Sequence, residues 1–313
     1  MSSSTSTLRL YEWNSGATLA PLILPVRHGE KPEQAAHRYL SEMAKNSGLV
    51  ELFASQIPQL PMTGFSLLEE SLWEPRVLMI ANLPYDYSLY SPRIKGFMNV
   101  FSKAQERCFI LPINANLGLT CEETKELFNL IANNFPFMVA MGGDDVDPAL
   151  YKAINSHCRK ISPSRDQFEA SLIRSFVEQE KGFLLGVCRG SQIASVALGY
   201  ELIQDLPHHV GASVPHENDW HSIEIKSTSH NILKSITPTT NKLLVNSIHH
   251  QSVVYREGGI LEMAAQADDG VTEATELRNG HGLLLQFHPE LMNNDLGAEI
   301  LLQALTQGKR VLG

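Results

Sequence analysis

From Arg76 to the C-terminus, short runs of aliphatic and aromatic residues alternate with longer stretches in which apolar positions recur every three or four residues. A strand buried on both faces reads as a continuous apolar run, and a helix packed on a sheet shows one apolar face. The alternation therefore predicts βα units around a parallel sheet. The expected strands cover 77–80, 108–113, 137–141 and 183–187, and the expected helices 94–105, 121–133, 166–178 and 191–198. Two helices carry local support: Thr120 followed by Glu123 has capping-box spacing, and Phe168, Leu172, Ile173 and Phe176 share one face of 166–178. Between 220 and 290 the pattern turns mainly to strands, over 222–225, 243–246, 263–267, 272–277 and 282–287, and 297–306 closes the chain as a helix.

Residues 1–72 differ in character and are expected to form an N-terminal extension, partly helical, ahead of a larger domain over 73–313. Ala36, Tyr39, Leu40 and Met43 fall on one face of a predicted helix over 32–44 that ends near Gly48, and 49–57 reads as a second helix. The apolar stretch 17–26 is short, broken by Pro21 and Pro25 and preceded by Glu12, which argues against a signal peptide. Packing or oligomerisation is the expected role of the extension, with a lid over a site as the alternative. The fold class that follows is α/β, a mostly parallel open sheet flanked by helices, with this helical extension.

Composition narrows the function. A chain of 313 residues, 43% hydrophobic, can bury a full core. Its formal charge of -9, with no Lys/Arg cluster among aromatics, argues against nucleic acid and for small-molecule chemistry. No apolar run approaches the roughly 18 residues of a membrane span, so no membrane partner is expected. The 4 cysteines, Cys108, Cys121, Cys158 and Cys188, lack CxxC spacing, which points to free thiols in a reducing, cytoplasmic setting. Three of them, Cys108, Cys121 and Cys158, read as small buried hydrophobes.

Cys188 is the exception. Gly186-Val187-Cys188-Arg189-Gly190 follows an apolar run and precedes a helical stretch, the form of a nucleophile elbow whose flanking glycines permit a sharp turn. A thiol at a helix N-terminus lies among unpaired N–H groups and the positive end of the dipole, both of which favour the thiolate. The same groups can bind an oxyanion, with the amides of Arg189 and of Gly143, in the strand-end turn 142–148, as the expected donors. Near the C-terminus stands Gln286-Phe287-His288-Pro289-Glu290. A residue before proline is biased toward extended backbone, where positions two apart share a side, so His288 and Glu290 are expected to point together as base and orienting carboxylate. Acyl transfer through a thioester is the implied chemistry.

The remaining histidines are weighed separately. His208, His209, His216 and His221 cluster without ligand spacing, and surface or strand packing is the expected role, with no metal and no cofactor. His249-His250-Gln251 follows a predicted strand and is divided between an ordinary loop and part of a substrate site.

Together these strings resemble the class I glutamine amidotransferase superfamily, flavodoxin-like in fold, which carries a Gly-x-Cys-x-Gly elbow and a late His-Pro-Glu. Within it the chain is most similar to the γ-glutamyl hydrolases of peptidase family C26, of the γ-glutamyl-γ-aminobutyrate hydrolase type. The narrower likeness rests on 142–148 with Tyr151, Arg165-Asp166 with Glu169, Cys188 to Gln192 with Asp205, 246–251 and 267–274. It covers roughly 76–295; the first 70 or so residues have no counterpart, and Ala194-Ser195 and Gly199-Tyr200 depart from the usual pattern. The resemblance implies Cys188 as nucleophile, His288 as base, Glu290 as its orienter, and Gly143 and Arg189 as backbone oxyanion donors. It also implies that Gln192 and the backbone around His250 and Gln251, with His249 in the same segment, hold the glutamyl group. The leading expectation is a stand-alone hydrolase of small-molecule γ-glutamyl amides that needs no cofactor. The alternatives are a glutaminase that supplies ammonia to a separate synthase, a binding protein without turnover, and a DJ-1-like thiol protein. Oligomeric state, a homodimer included, is left open by the sequence.

Overall fold

The computed structural model describes residues 7–312 except 15, 17, 47–61, 70–73, 82–86, 114–116, 212, 238 and 293, with backbone alone for 43–46 and 87–91. Strands β1 (Leu8–Trp13), β2 (Leu22–Arg27) and β3 (Phe65–Leu67) belong to the N-terminal region, with helix α1 (Pro32–Asn46) after β2. The expected alternation follows: β4 (Arg76–Ala81), α2 (Tyr87–Phe101), β5 (Arg107–Pro112), α3 (Cys121–Asn134), β6 (Phe137–Ala140), α4 (Pro163–Glu178), β7 (Phe183–Val187) and α5 (Arg189–Ala197). Beyond it come β8 (Leu202–Ile203), the short helix α6 (Leu206–His209), β9 (Glu217–Ile225), β10 (Lys242–Ile248) and β11 (Ser252–Val253). The chain ends with β12 (Leu261–Ala267), β13 (Thr272–Leu277), β14 (Gly282–Leu285) and α7 (Asp295–Val311).

Among the described residues, twelve strands form one sheet in the order β10-β9-β12-β13-β14-β7-β6-β4-β5-β2-β1-β3. The centre, from β14 to β2, is parallel, and both flanks are antiparallel. Every residue of β4, β6, β7 and β14 is buried, which is why these strands read as unbroken apolar runs. Phe137 bridges Phe101 and Phe183 at ring separations of 5.7 and 5.3 Å, tying α2 to the sheet centre. The Thr120 capping box is present, with Thr120 Oγ1 accepting from Glu123 N and the Glu123 carboxylate accepting from Thr120 N.

The N-terminal region departs from the expected pattern. The helix over 32–44 is found, the one over 49–57 lies outside the described residues, and three strands that periodicity did not reveal extend the central sheet. Proline has no N–H to donate to a ladder, so Pro21 and Pro25 disguised β2. The structure tolerates them because β2 pairs with β5 only at Leu22↔Ile110, where Ile110 N donates to Pro21 O at 2.9 Å, and beyond it β2 is served by β1. Trp13 is fully buried and stacks on Phe65 with centroids 5.4 Å apart. Arg27 Nε donates to Glu123 at 2.6 Å; that bond holds the carboxyl down at about 2 against its partial burial, fastening β2 to the first turn of α3.

If the N-terminal strands share the cooperative core, Trp13→Ala costs about 3–5 kcal/mol and lowers the single thermal transition. An unchanged main transition with a separate early one, followed by circular dichroism, would show instead that the extension melts alone.

Candidate functional site

Three neighbouring parallel strands end at one place. β6 leads into Gly142-Gly143, β7 into Cys188 and β14 into 286–290, so the carboxyl edge of the sheet collects residues far apart in the chain. Cys188 has φ 53 and ψ -113, a conformation rare for a residue with a side chain, and caps the N-terminus of α5. The glycines beside it serve differently from the sequence expectation. Neither has positive φ; a Cβ on Gly190 would lie 1.8 Å from Ala140 O, and one on Gly186 would lie 2.9 Å from Gly190 O. They permit close packing of α5 on β6 and β7, and the turn itself is made by Cys188, whose N donates to Leu285 O at 2.7 Å.

His288 Nδ1 lies 2.7 Å from Glu290 Oε1, both side chains being fully buried. The pairing is as expected but its cause differs, because Pro289–Leu291 is a turn of 3-10 helix rather than extended chain. Asn246, from β10, clamps the His288 backbone: Oδ1 accepts from His288 N at 2.8 Å and Nδ2 donates to His288 O at 2.9 Å. Helix α2 closes on the same turn so tightly that a Cβ on Gly96 would stand 2.1 Å from Glu290 O.

Burial opposes charge on both Cys188 and His288, yet their mutual attraction prevails. The imidazole, the Arg93 guanidinium and the Arg189 backbone N–H draw the thiol below its ordinary value. Against its burial, His288 is raised to about 10 by Glu290 and by Cys188. The pair is poised as thiolate and imidazolium. The other thiols contrast with it: burial pushes Cys108 up to about 12 and also raises Cys158, while Cys121 is exposed at the start of α3. The reading of all three as buried hydrophobes therefore holds for Cys108, but Cys121 is exposed and Cys158 half-buried.

Beneath the elbow, the Arg189 guanidinium reaches Glu169 at 2.5 Å and Asp166, all three fully buried. Asp166 also accepts from Asp147 N at 2.9 Å, so one ion cluster joins α5 to the turn carrying Gly142 and Gly143. A Cβ on Gly142 would stand 3.0 Å from His288 Cε1 and 3.3 Å from Arg93 Nη1. The candidate oxyanion donors, Gly143 and Arg189, thus come from segments that this cluster locks together.

The expected substrate residues are largely engaged by the protein. Gln192 Nε2 donates to Gln251 O at 3.1 Å and to Gln286 Oε1 at 3.3 Å. Gln251 Nε2 donates to Gln204 O at 3.0 Å and to Cys158 Sγ at 3.2 Å. His250 bridges Asp145 at 2.9 Å and Asp205 at 3.2 Å, and these carboxylates raise it against burial. The His249 imidazole meets Gln251 O at 3.1 Å and faces Glu273 at 3.5 Å. Ile248 O, at the end of β10, lies 3.8 Å from Cys188 Sγ, so backbone of this segment does border the sulfur. Arg93 and Asn246 were missed as site residues. Arg93 has no local signal, since its helix approaches Cys188 only through the fold.

The fold and the comparisons define a protein of cysteine hydrolase or amidotransferase type. The family model of peptidase C26 matches 93–290, more than half of the chain, and the chain belongs to that family, within the class I glutamine amidotransferase-like superfamily. The glutamine amidotransferase-like protein YvdE of Lactococcus lactis subsp. lactis is 32% identical over 214 residues, 66% of this chain and 84% of the relative. Protein NtpR of Enterococcus hirae is 30% identical over 215 residues, 66% of this chain and 83% of its own. The glutaminase domain of Trypanosoma brucei CTPS, solved with bound acivicin, shares the fold at a TM-score of 0.54 and 17% identity, over 75% of this chain and 94% of that domain. No helix among the described residues is long and apolar enough to cross a membrane.

The ion pair persists until pH rises through about 10 at His288 or falls through the lowered thiol value. Iodoacetamide should therefore modify Cys188 at roughly neutral pH ahead of Cys108, and Glu290→Gln should move the Cys188 rate profile to higher pH, as read by peptide mass mapping. An unshifted profile would remove Glu290 from the charge balance. Gly190→Ala should cost about 1–3 kcal/mol or more in urea unfolding, because backbone rather than a movable side chain blocks the new methyl.

Proposed function

We propose that this protein hydrolyses γ-glutamyl amides through a Cys188 thioester, with His288 and Glu290 completing a catalytic triad. The observation that carries the reading is the lowered Cys188 thiol on a strained elbow, coupled to a raised His288 that is hydrogen-bonded to Glu290.

The Cys188 thiolate attacks the γ-carbonyl carbon, and the resulting oxyanion is received by the backbone N–H groups of Arg189 and Gly143. Collapse breaks the C–N bond, and the leaving amine takes its proton from His288. Neutral His288 then removes a proton from water, the hydroxide adds to the thioester, and glutamate leaves as the thiolate reforms beside the imidazolium. Glu290 holds the ring and stabilises its charge throughout. Gln192 and the backbone of 249–251 border the glutamyl group, and Arg93 favours the thiolate.

Purified protein is incubated with glutamine and a panel of γ-glutamyl amines and peptides, and glutamate, ammonia and amine are assayed. Glutamate release from γ-glutamyl amines without a second protein is expected, lost in Cys188→Ala and reduced about 10²–10⁴-fold in kcat by His288→Ala. Turnover of glutamine alone, and only with an added synthase, would replace this reading by that of an ammonia-supplying subunit. Activity surviving in Cys188→Ala would remove the mechanism.

A further inference from the structure

Away from the thiol, four side chains from separate strands and turns converge in the antiparallel part of the sheet. His216 Nδ1 lies 3.3 Å from Glu273 Oε1, His221 Nε2 lies 3.3 Å from the same oxygen, and His249 Nε2 lies 3.5 Å from it. Every one of these side chains is at least nine-tenths buried. None of the three contacts meets hydrogen-bond geometry, so His216 Nδ1, His221 Nε2, His249 Nε2 and both Glu273 oxygens are buried without a hydrogen-bond partner. Five such atoms in one place need an explanation, since buried polar groups are ordinarily paired.

The opposite ring nitrogens are all served. His216 Nε2 meets Asp269 Oδ2 at 2.9 Å, His221 Nδ1 meets Pro215 O at 2.9 Å, and His249 Nδ1 meets Gln251 O at 3.1 Å. Carbonyl oxygens only accept, so His221 and His249 must donate outward, and His216 does the same toward the Asp269 carboxylate. Glu273 and Asp269 raise His216 and His221 against their burial, so ring protons would pair these rings with Glu273. With neutral rings, each inward nitrogen presents a lone pair to the carboxylate, and a cation between them takes the place of those protons. A metal-bound histidine characteristically donates its other N–H to a carbonyl or carboxylate in this way.

We propose that His216, His221, His249 and Glu273 form a structural zinc site. Ligands about 2.0–2.1 Å from a tetrahedral zinc stand about 3.3–3.4 Å from one another, close to the 3.3, 3.3 and 3.5 Å that separate the three ring nitrogens from Glu273 Oε1. His216, His221 and Glu273 have their ligand atoms mutually within 4.8 Å; His249 stands outside that set, 3.5 Å from Glu273 Oε1, and joins as the fourth ligand by a shift of its ring. Two carboxylates, Glu273 as ligand and Asp269 behind His216, balance the double charge of the ion. With four protein ligands the site is closed and does no chemistry. Its effect is mechanical: it pins β9, β13 and the turn after β10, where His249 N and Ser247 Oγ both donate to His216 O at 2.8 Å and the neighbouring Ile248 O meets Cys188 Sγ. The proposal departs from the sequence expectation of no metal, because these residues lie on separate elements and show no ligand spacing along the chain.

Untagged full-length protein is stripped with dipicolinate and reloaded with zinc or cobalt(II), and bound metal, visible spectrum and melting temperature are measured. One zinc per chain, a tetrahedral cobalt(II) spectrum and a melting temperature that falls on chelation are expected. Asp269→Asn should weaken zinc affinity about 10–100-fold with the fold intact, and Glu273→Gln should abolish stoichiometric binding. His208→Ala, at the exposed pair with His157, should change nothing. If Glu273→Gln does not fold, the wild-type cobalt spectrum and Asp269→Asn decide. No retained zinc with chelator-insensitive melting, or binding that follows His208 instead of Asp269 and Glu273, would overturn the proposal whatever the enzymatic assay reports.

Discussion

The left-handed backbone at Cys188 is the constraint around which the rest of the site is arranged. A non-glycine residue in such a conformation costs of order 1–3 kcal/mol and persists only where its surroundings over-determine it. Here Leu285 O holds its N–H, Gly190 sits against Ala140 O, and Gly186 against Gly190 O. Each of these contacts comes from β6, β7 or β14, so the strained turn and the central parallel strands require each other.

That arrangement also explains the electrostatics. A buried thiol and a buried imidazole would each favour neutrality, and both would then be poor catalysts. Placing them together, with Glu290 behind the ring and Arg93 beside the thiol, reverses both preferences. Fixed backbone makes the reversal durable: Asn246 binds both backbone groups of His288, and the buried cluster of Arg189, Asp166 and Glu169 ties the elbow to the Gly142-Gly143 turn. A buried ion cluster contributes little net stability, so its value here is positional.

The histidines show how far partners decide role. His288 meets a carboxylate and a thiol, His250 two carboxylates, and His216, His221 and His249 one shared carboxylate oxygen. The residue type is the same in each case. What differs is which strands the sheet order makes neighbours, and β9, β13 and the turn after β10 are brought together only by the antiparallel flank.

Short-range features were legible in the chain itself: the Thr120 to Glu123 capping box, the buried strands β4 to β7, the elbow at Cys188 and the pairing of His288 with Glu290, although the last arises from a 3-10 turn. Capping, periodicity and turn chemistry act over a few residues, so sequence alone determines them. The N-terminal strands escaped because prolines interrupt β2 and its parallel partner β5 lies far along the chain. Arg93 beside the thiol, Asn246 on His288 and the three histidines around Glu273 escaped for the same reason. These contacts are made by backbone elements that share no local pattern, and only the closing of the sheet sets their distances.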